Sequence, residues 1–158
     1  VQFADQMREA NDTALDERTA AVTRFRRLLH QITPDCRLHL YGSTVCGLRV
    51  PIGDVDCMIE APHKADKTML LKRLRDQLLE AGVTSNAFLL PHLRMPVLKW
   101  TDKVSGDRFD SCVNHTNGLR ASTLLSRTAN ELPDLRPLVL VLKTHLLMAG
   151  VHQKRSGG

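Results

Sequence analysis

The chain has 158 residues, 42% hydrophobic and 25% charged, with 22 Lys and Arg against 17 Asp and Glu for a formal net charge of +5. That length lets one domain bury about two-thirds of its unfolded surface without disulfide or metal staples, and the composition excludes a disordered, collagenous or disulfide-built chain. The longest apolar run, Pro137 to Leu142, is broken by Lys143 and His145 and falls far short of the roughly 18 residues that span a bilayer, so no membrane partner is expected.

Cys36, Cys46, Cys57 and Cys112 lie far apart with no C-x-x-C pair, which argues against structural zinc. Cys57 and Cys112 fall in apolar stretches and read as small core residues in a reducing compartment, cytoplasmic or mitochondrial. The start, Val1-Gln2-Phe3-Ala4-Asp5, has no basic segment leading into an apolar one, so no export signal is expected. A positive balance favours polyanionic partners only weakly, because Lys and Arg mostly solvate surfaces.

In chain order, Phe3, Met7, Val22, Phe25, Leu29 and Ile32 recur near helical spacing, predicting one or two amphipathic helices over 3–31 that Thr33-Pro34 stops. Arg37 to Tyr41 alternates as a strand, Gly42-Ser43-Thr44 is a tight turn, and Val45 to Leu48 is a helical turn that its hydroxyls can cap. Pro51-Ile52-Gly53 leads into a second strand, 54–60, which opens with two carboxylates. Residues 66–81 are predicted helical: Asp66 caps, Leu70, Leu71, Leu74, Leu78 and Ala81 form one stripe, and Gly82 ends it. Strands are expected over 88–90, 95–100 and 108–114, with Gly106 in the last connection and Trp100 and Phe109 in the core. Asp134 then caps a helix carrying Pro137 in its first turn. Leu138 to Met148 are apolar on nearly every side, which predicts burial. The final Lys154 to Gly158 reads as a loop cut short.

Asp54 and Asp56 are two apart on a strand and so share one face, with Val55 and Cys57 on the other. Two crowded carboxylates repel unless cations lie between them. Asp110 sits in another apolar strand, where a charge is costly unless paired or ligating. With the two strands side by side, three carboxylates converge in an all-oxygen set suited to Mg²⁺ or Mn²⁺. An isolated D-x-D is more often a turn residue plus a surface ion pair. What singles this one out is Gly42-Ser43 just upstream, a strand-to-helix turn whose N–H groups and hydroxyl can face phosphate oxygens. No P-loop pattern occurs.

Tyr41-Gly42-Ser43, Gly47-Leu48, Gly53-Asp54-Val55-Asp56 and a distant Phe109-Asp110 resemble the signature of DNA polymerase β-type nucleotidyltransferases. The run from Asp110 through Leu124-Leu125 to Leu135–Lys143 is similar to RNA terminal uridylyltransferases and related poly(A)-adding enzymes. The resemblance covers residues 37–158 and implies that Asp54, Asp56 and Asp110 are catalytic and hold two Mg²⁺ (or Mn²⁺) ions. It further implies that Gly42 and Ser43 cradle phosphates, that Ser122 contacts nucleotide, and that Lys143 reaches the triphosphate. Where the family carries Asn before Ser or Thr this chain has Ala121-Ser122, leaving Asn117 as the substitute amide. It has Leu147 where a second basic residue is common, and Gly53 for Ser. Arg49, Lys99, Lys103, Arg108, Arg120 and Arg127 are candidates for RNA backbone contact.

The expected fold is α+β, a mixed sheet of about five strands with helices packed on one face and the carboxylates on the opposite, open face. Residues 1–33 are assigned to a helical segment of a second domain or one packing on the sheet, 34–128 to the catalytic domain, and 129–158 to the start of a helical domain. The function expected is RNA 3′-terminal nucleotide transfer, from UTP first and ATP second, onto an RNA 3′ end, with other subunits of an RNA-processing complex as further partners. Alternatives are a scaffolding pseudoenzyme, motivated by Ala121 and Leu147, and transfer to a small molecule or protein.

Overall fold

The computed structural model describes residues 15–50 and 53–150. The helical segment expected over 3–14, residues 51 and 52, and the terminal loop 154–158 lie outside them. In order come α1 (Leu15–Ile32), β1 (Arg37–Tyr41), α2 (Ser43–Cys46), β2 (Val55–Glu60), α3 (Lys67–Glu80), β3 (Ala87–Leu90), β4 (Val97–Thr101), β5 (Arg108–Val113), α4 (Asn117–Glu131) and α5 (Leu135–Met148). The five strands form one α+β mixed sheet in the order β1-β2-β5-β4-β3. Only β2 and β5 pair in parallel; the other neighbours are antiparallel.

The core lies between the sheet and the helices α1 and α3. Ala21, Val22, Phe25, Leu28 and Leu29 of α1 and Leu70, Leu71, Leu74 and Leu78 of α3 meet Leu38, Val55, Cys57, Ile59, Leu98, Trp100, Phe109 and Val113 of the sheet. Trp100 and Phe109 stack with ring centroids 4.2 Å apart, and Phe25 of α1 meets Trp100 edge-on at 5.0 Å. Asp66 caps α3 as expected, its Oδ1 accepting from Met69 N at 2.9 Å. Ala81 is exposed at the C-cap and adds nothing to the stripe. Asn114 ends β5 by clasping Ala61, accepting from its N–H at 2.8 Å and donating to its carbonyl at 2.9 Å.

On the other face, α2 and the start of α4 lean over the β1 end of the sheet. A Cβ on Gly118 of α4 would lie 2.5 Å from the Tyr41 ring, so only glycine allows the helix this close. The expectation that α5 is buried is corrected: Leu138 is 58% and Leu142 51% exposed, Val141 and Leu146 also face outward, and Leu140 is the buried residue of the helix. Its apolar circumference signals a covered helix, but among the described residues nothing covers that side. Asp134 stands at the N-cap position without a side-chain cap bond.

The hairpin joining β4 to β5 is tied to α1 by charge. Asp102 is fully buried and accepts from Nε and Nη2 of Arg24 and from the Ser105 N–H. Burial pushes its carboxyl up, but the Arg24 and Ser105 hydrogen bonds outweigh burial, so the group sits below the usual carboxylate range. A depressed pKa contributes stability that is present above the unfolded value, about 4, and lost as pH falls through the folded one. Asp102→Asn is therefore expected to cost about 1–3 kcal/mol at neutral pH and to flatten the acid limb of stability. Urea unfolding midpoints between neutrality and acid pH check this; parallel curves for the two proteins contradict it.

Candidate active site

The parallel register sets Asp56 level with Asp110 and Val55 level with Phe109. Because side chains alternate, Val55, Cys57 and Phe109 enter the core while Asp56 and Asp110 stand on the other face. Asp54 precedes β2 by one residue, in phase with Asp56. A third neighbour completes the row: β1 pairs Tyr41 with Asp56, which brings the Gly42-Ser43 turn beside the carboxylates.

Each outer carboxylate has a basic neighbour. Lys99 of β4, opposite Asp110, donates from Nζ to Asp110 Oδ2. Asp54 Oδ1 lies 2.8 Å from Arg108 Nε, a contact of charges without an aligned hydrogen bond. Among the described residues no group of three or more acidic, His or Cys side chains is arranged as placed to hold a metal. The donor chemistry nevertheless fits a hard divalent ion: three carboxylates share one face, two of them level, and two already attract cations. An ion held there would sit among carboxylates that Lys99 and Arg108 already contact.

Gly42 allows the turn to close against Asp56. Its φ is +72°, and a Cβ there would lie 2.3 Å from Asp56 Oδ2. Its N–H does not face outward to a phosphate, because it donates to Ser122 Oγ at 2.6 Å. Ser122 in turn donates to Gly118 O at 2.7 Å, and Cys46 Sγ donates to Ser122 O at 3.3 Å. Ser122, expected to contact nucleotide, is buried and fastens α4 to the turn. Asn117 is exposed in the first turn of α4. Lys143 reaches from α5 to the same corner, its Nζ donating to Leu48 O at 2.8 Å. Burial lowers its pKa, opposed by the charge of Asp56 and by Cys46.

Burial pushes the Cys57 thiol up, with Asp56, Cys112 and Asp110 adding to the shift, so it stays protonated as an inert core residue. The Tyr41 phenol is raised likewise, by burial first and then by Cys112 and Asp56. Arg49, expected as an RNA contact, is buried and engaged with Asp107 and the Gly53 carbonyl. Arg127 pairs with Glu131 one turn on. Asp102 and Asp107 escaped the sequence reading, since only the tertiary approach of Arg18, Arg24 and Arg49 gives them a role.

A mixed sheet with carboxylates on adjacent parallel strands beside a glycine-serine turn is the architecture of the polymerase β-like nucleotidyltransferases, and solved structures agree. The polymerase core of TRAMP, an RNA surveillance complex, superposes with a TM-score of 0.75 at 26% identity, over 85% of this chain and 42% of that one. The Cid1 poly(U) polymerase with MgGTP bound shares the fold, with a TM-score of 0.76 at 22% identity over 90% of this chain and 47% of that one. Residues 2–129 match the family described as "Poly(A) RNA polymerase, mitochondrial-like, central palm domain", and the chain belongs to that family. Poly(A) RNA polymerase protein 1 of Eremothecium gossypii is 28% identical over 94% of this chain and 24% of its own length. The Drosophila melanogaster protein named inactive non-canonical poly(A) RNA polymerase protein Trf4-2 is 32% identical over 89% of this chain and 35% of its length. The chain thus spans about a quarter to a third of these curated relatives.

Proposed function

We propose that this palm transfers a nucleotide from a nucleoside triphosphate to the 3′-hydroxyl of RNA. The observation that carries the reading is the level pairing of Asp56 with Asp110, in phase with Asp54 and beside the Gly42-Ser43 turn. Asp54, Asp56 and Asp110 would hold Mg²⁺ or Mn²⁺, which when bound activates the attacking hydroxyl and neutralises the triphosphate and its leaving pyrophosphate. Ser43, at the start of α2, supplies a hydroxyl toward phosphate oxygens, while Gly42 lets the turn approach Asp56 and Ser122 holds that turn in place. Lys143 adds a point charge on the same side. Lys99 and Arg108, beside these carboxylates, are placed to neutralise phosphates.

The resemblance alone ranks UTP before ATP; the names of the curated relatives support the reverse order, and ATP is the donor proposed here. The TRAMP neighbour supports action within an RNA-processing complex. Four buried free cysteines support a reducing compartment, cytoplasmic or mitochondrial. The test incubates the chain with Mg²⁺, an RNA primer and each of four labelled nucleoside triphosphates; extension with ATP above the others is expected, and no extension with any contradicts the proposal. A second reading, a palm retained as a scaffold, draws on Ala121, Leu147 and the relative named inactive. Calorimetry showing Mg²⁺-dependent triphosphate binding would exclude it.

A further inference from the structure

The first carboxylate stands just before β2 and the third on β5, and one buried arginine joins the residues that lead into each. Arg49 Nε donates to Gly53 O at 3.0 Å, and its Nη2 donates both to that carbonyl and, at 2.9 Å, to Asp107 Oδ1. Gly53 is the residue before Asp54; Asp107 is the residue before β5, which carries Asp110. Asp107 Oδ1 also lies 3.4 Å from Arg18 Nε of α1, so the network is anchored in the helical layer. Arg49 is 3% and Arg18 5% exposed. The turn is closed as well: Gly53 N donates to Val50 O at 2.9 Å, and a Cβ on Gly53 would meet Val50 O at 3.1 Å and Arg49 Cγ at 3.2 Å.

Buried ion pairs are poor sources of net stability, because desolvation offsets most of the attraction. What a planar guanidinium fork with two fixed acceptors does supply is geometry. Here the geometry it fixes is the spacing between the peptide that launches Asp54 and the strand that presents Asp110. We propose that Arg49 and Asp107 are positioning residues that set this spacing and thereby the affinity of the carboxylates for a divalent cation. The inference rests on the proposed nucleotidyltransferase reading of the site. It reaches the ion through the backbone, since neither side chain is a ligand.

The experiment titrates Mn²⁺ into the full chain and reads free Mn²⁺ by electron paramagnetic resonance, without turnover. Arg49→Met and Asp107→Asn are expected to weaken Mn²⁺ binding about 10–100-fold, as loss of groups that orient metal ligands does. For Arg49→Met this direction is diagnostic: deleting a positive charge near a cation site should, by Coulomb attraction alone, tighten binding. Arg49→Lys keeps the charge but loses the fork, and should fall between Arg49→Met and the wild type. Ile59→Val, a core truncation at the far end of β2, controls for general destabilisation and should leave Mn²⁺ affinity unchanged. Unchanged affinity in Arg49→Met and Asp107→Asn, or tightening in Arg49→Met, overturns the proposal, and Arg49→Lys, which leaves the charge in place, decides it where Arg49→Met does not fold. Binding lost in Asp54→Ala but intact in these variants overturns only the positioning role. A wild type that binds no Mn²⁺, or binds it equally after Asp54→Ala, overturns the reading of the site with it.

Discussion

Asp56→Asn is expected to lower nucleotide addition by at least ~10²–10³-fold, the scale of losing one preorganised electrostatic contact to a transition state. Asp56 is the central member of the row: it pairs with Tyr41 on one side and with Asp110 on the other, and its Oδ2 occupies the space that Gly42 leaves open. Asparagine fills the same volume, so the turn should keep its place, while one negative charge leaves the crowded face and mutual repulsion falls. The melting temperature should therefore hold while addition collapses. Primer extension under Mg²⁺, with circular dichroism melts of both proteins, reads the two effects separately. Extension within twofold of wild type contradicts the assignment.

Phe109→Ala is expected to cost about 3–5 kcal/mol of stability, the range for truncating a buried aromatic side chain. Phe109 is fully buried, stacks on Trp100 at 4.2 Å and meets Phe25 edge-on at 5.9 Å. Its removal leaves a void that three elements share: α1 through Phe25, β4 through Trp100 and β2 through its register partner Val55. Phe109→Leu, which keeps most of the volume, should lose much less. Urea unfolding monitored by Trp100 fluorescence measures both. Equal losses for Ala and Leu would mean that the cost lies elsewhere than in the cavity.

The elements that sequence revealed are those whose cause is local. Helix α3 is written in Asp66 and a leucine stripe at helical spacing, and strand β5 in an alternation that sends Phe109 and Ser111 one way and Asp110 the other. The pairing of Asp54 with Asp56 on one face follows from the pleat alone. Partner choice is not local, and there the sequence is silent. Ser122 carries the hydroxyl of a plausible nucleotide contact, yet tertiary packing delivers it to Gly42 N, 80 positions away in the chain. Arg49 resembles any surface arginine until Asp107 is brought to it from 58 positions downstream. Helix α5 is apolar all round, a pattern that states a need for cover without naming what provides it.

Phe109 and Asp110 are consecutive, so the greasy wall and the acidic row hang from the same peptide on opposite sides of one ribbon. Sliding β5 by a single residue against β4, where Trp100 is the register partner of Phe109, would swap them, drawing a charge inward and pushing a benzyl group outward. The tryptophan-phenylalanine stack therefore works as an index pin: shape fit on the greasy side dictates which notch the acidic side occupies. Tolerance to mutation at the two surfaces should accordingly be linked, with repacked interiors surviving only when they preserve that notch.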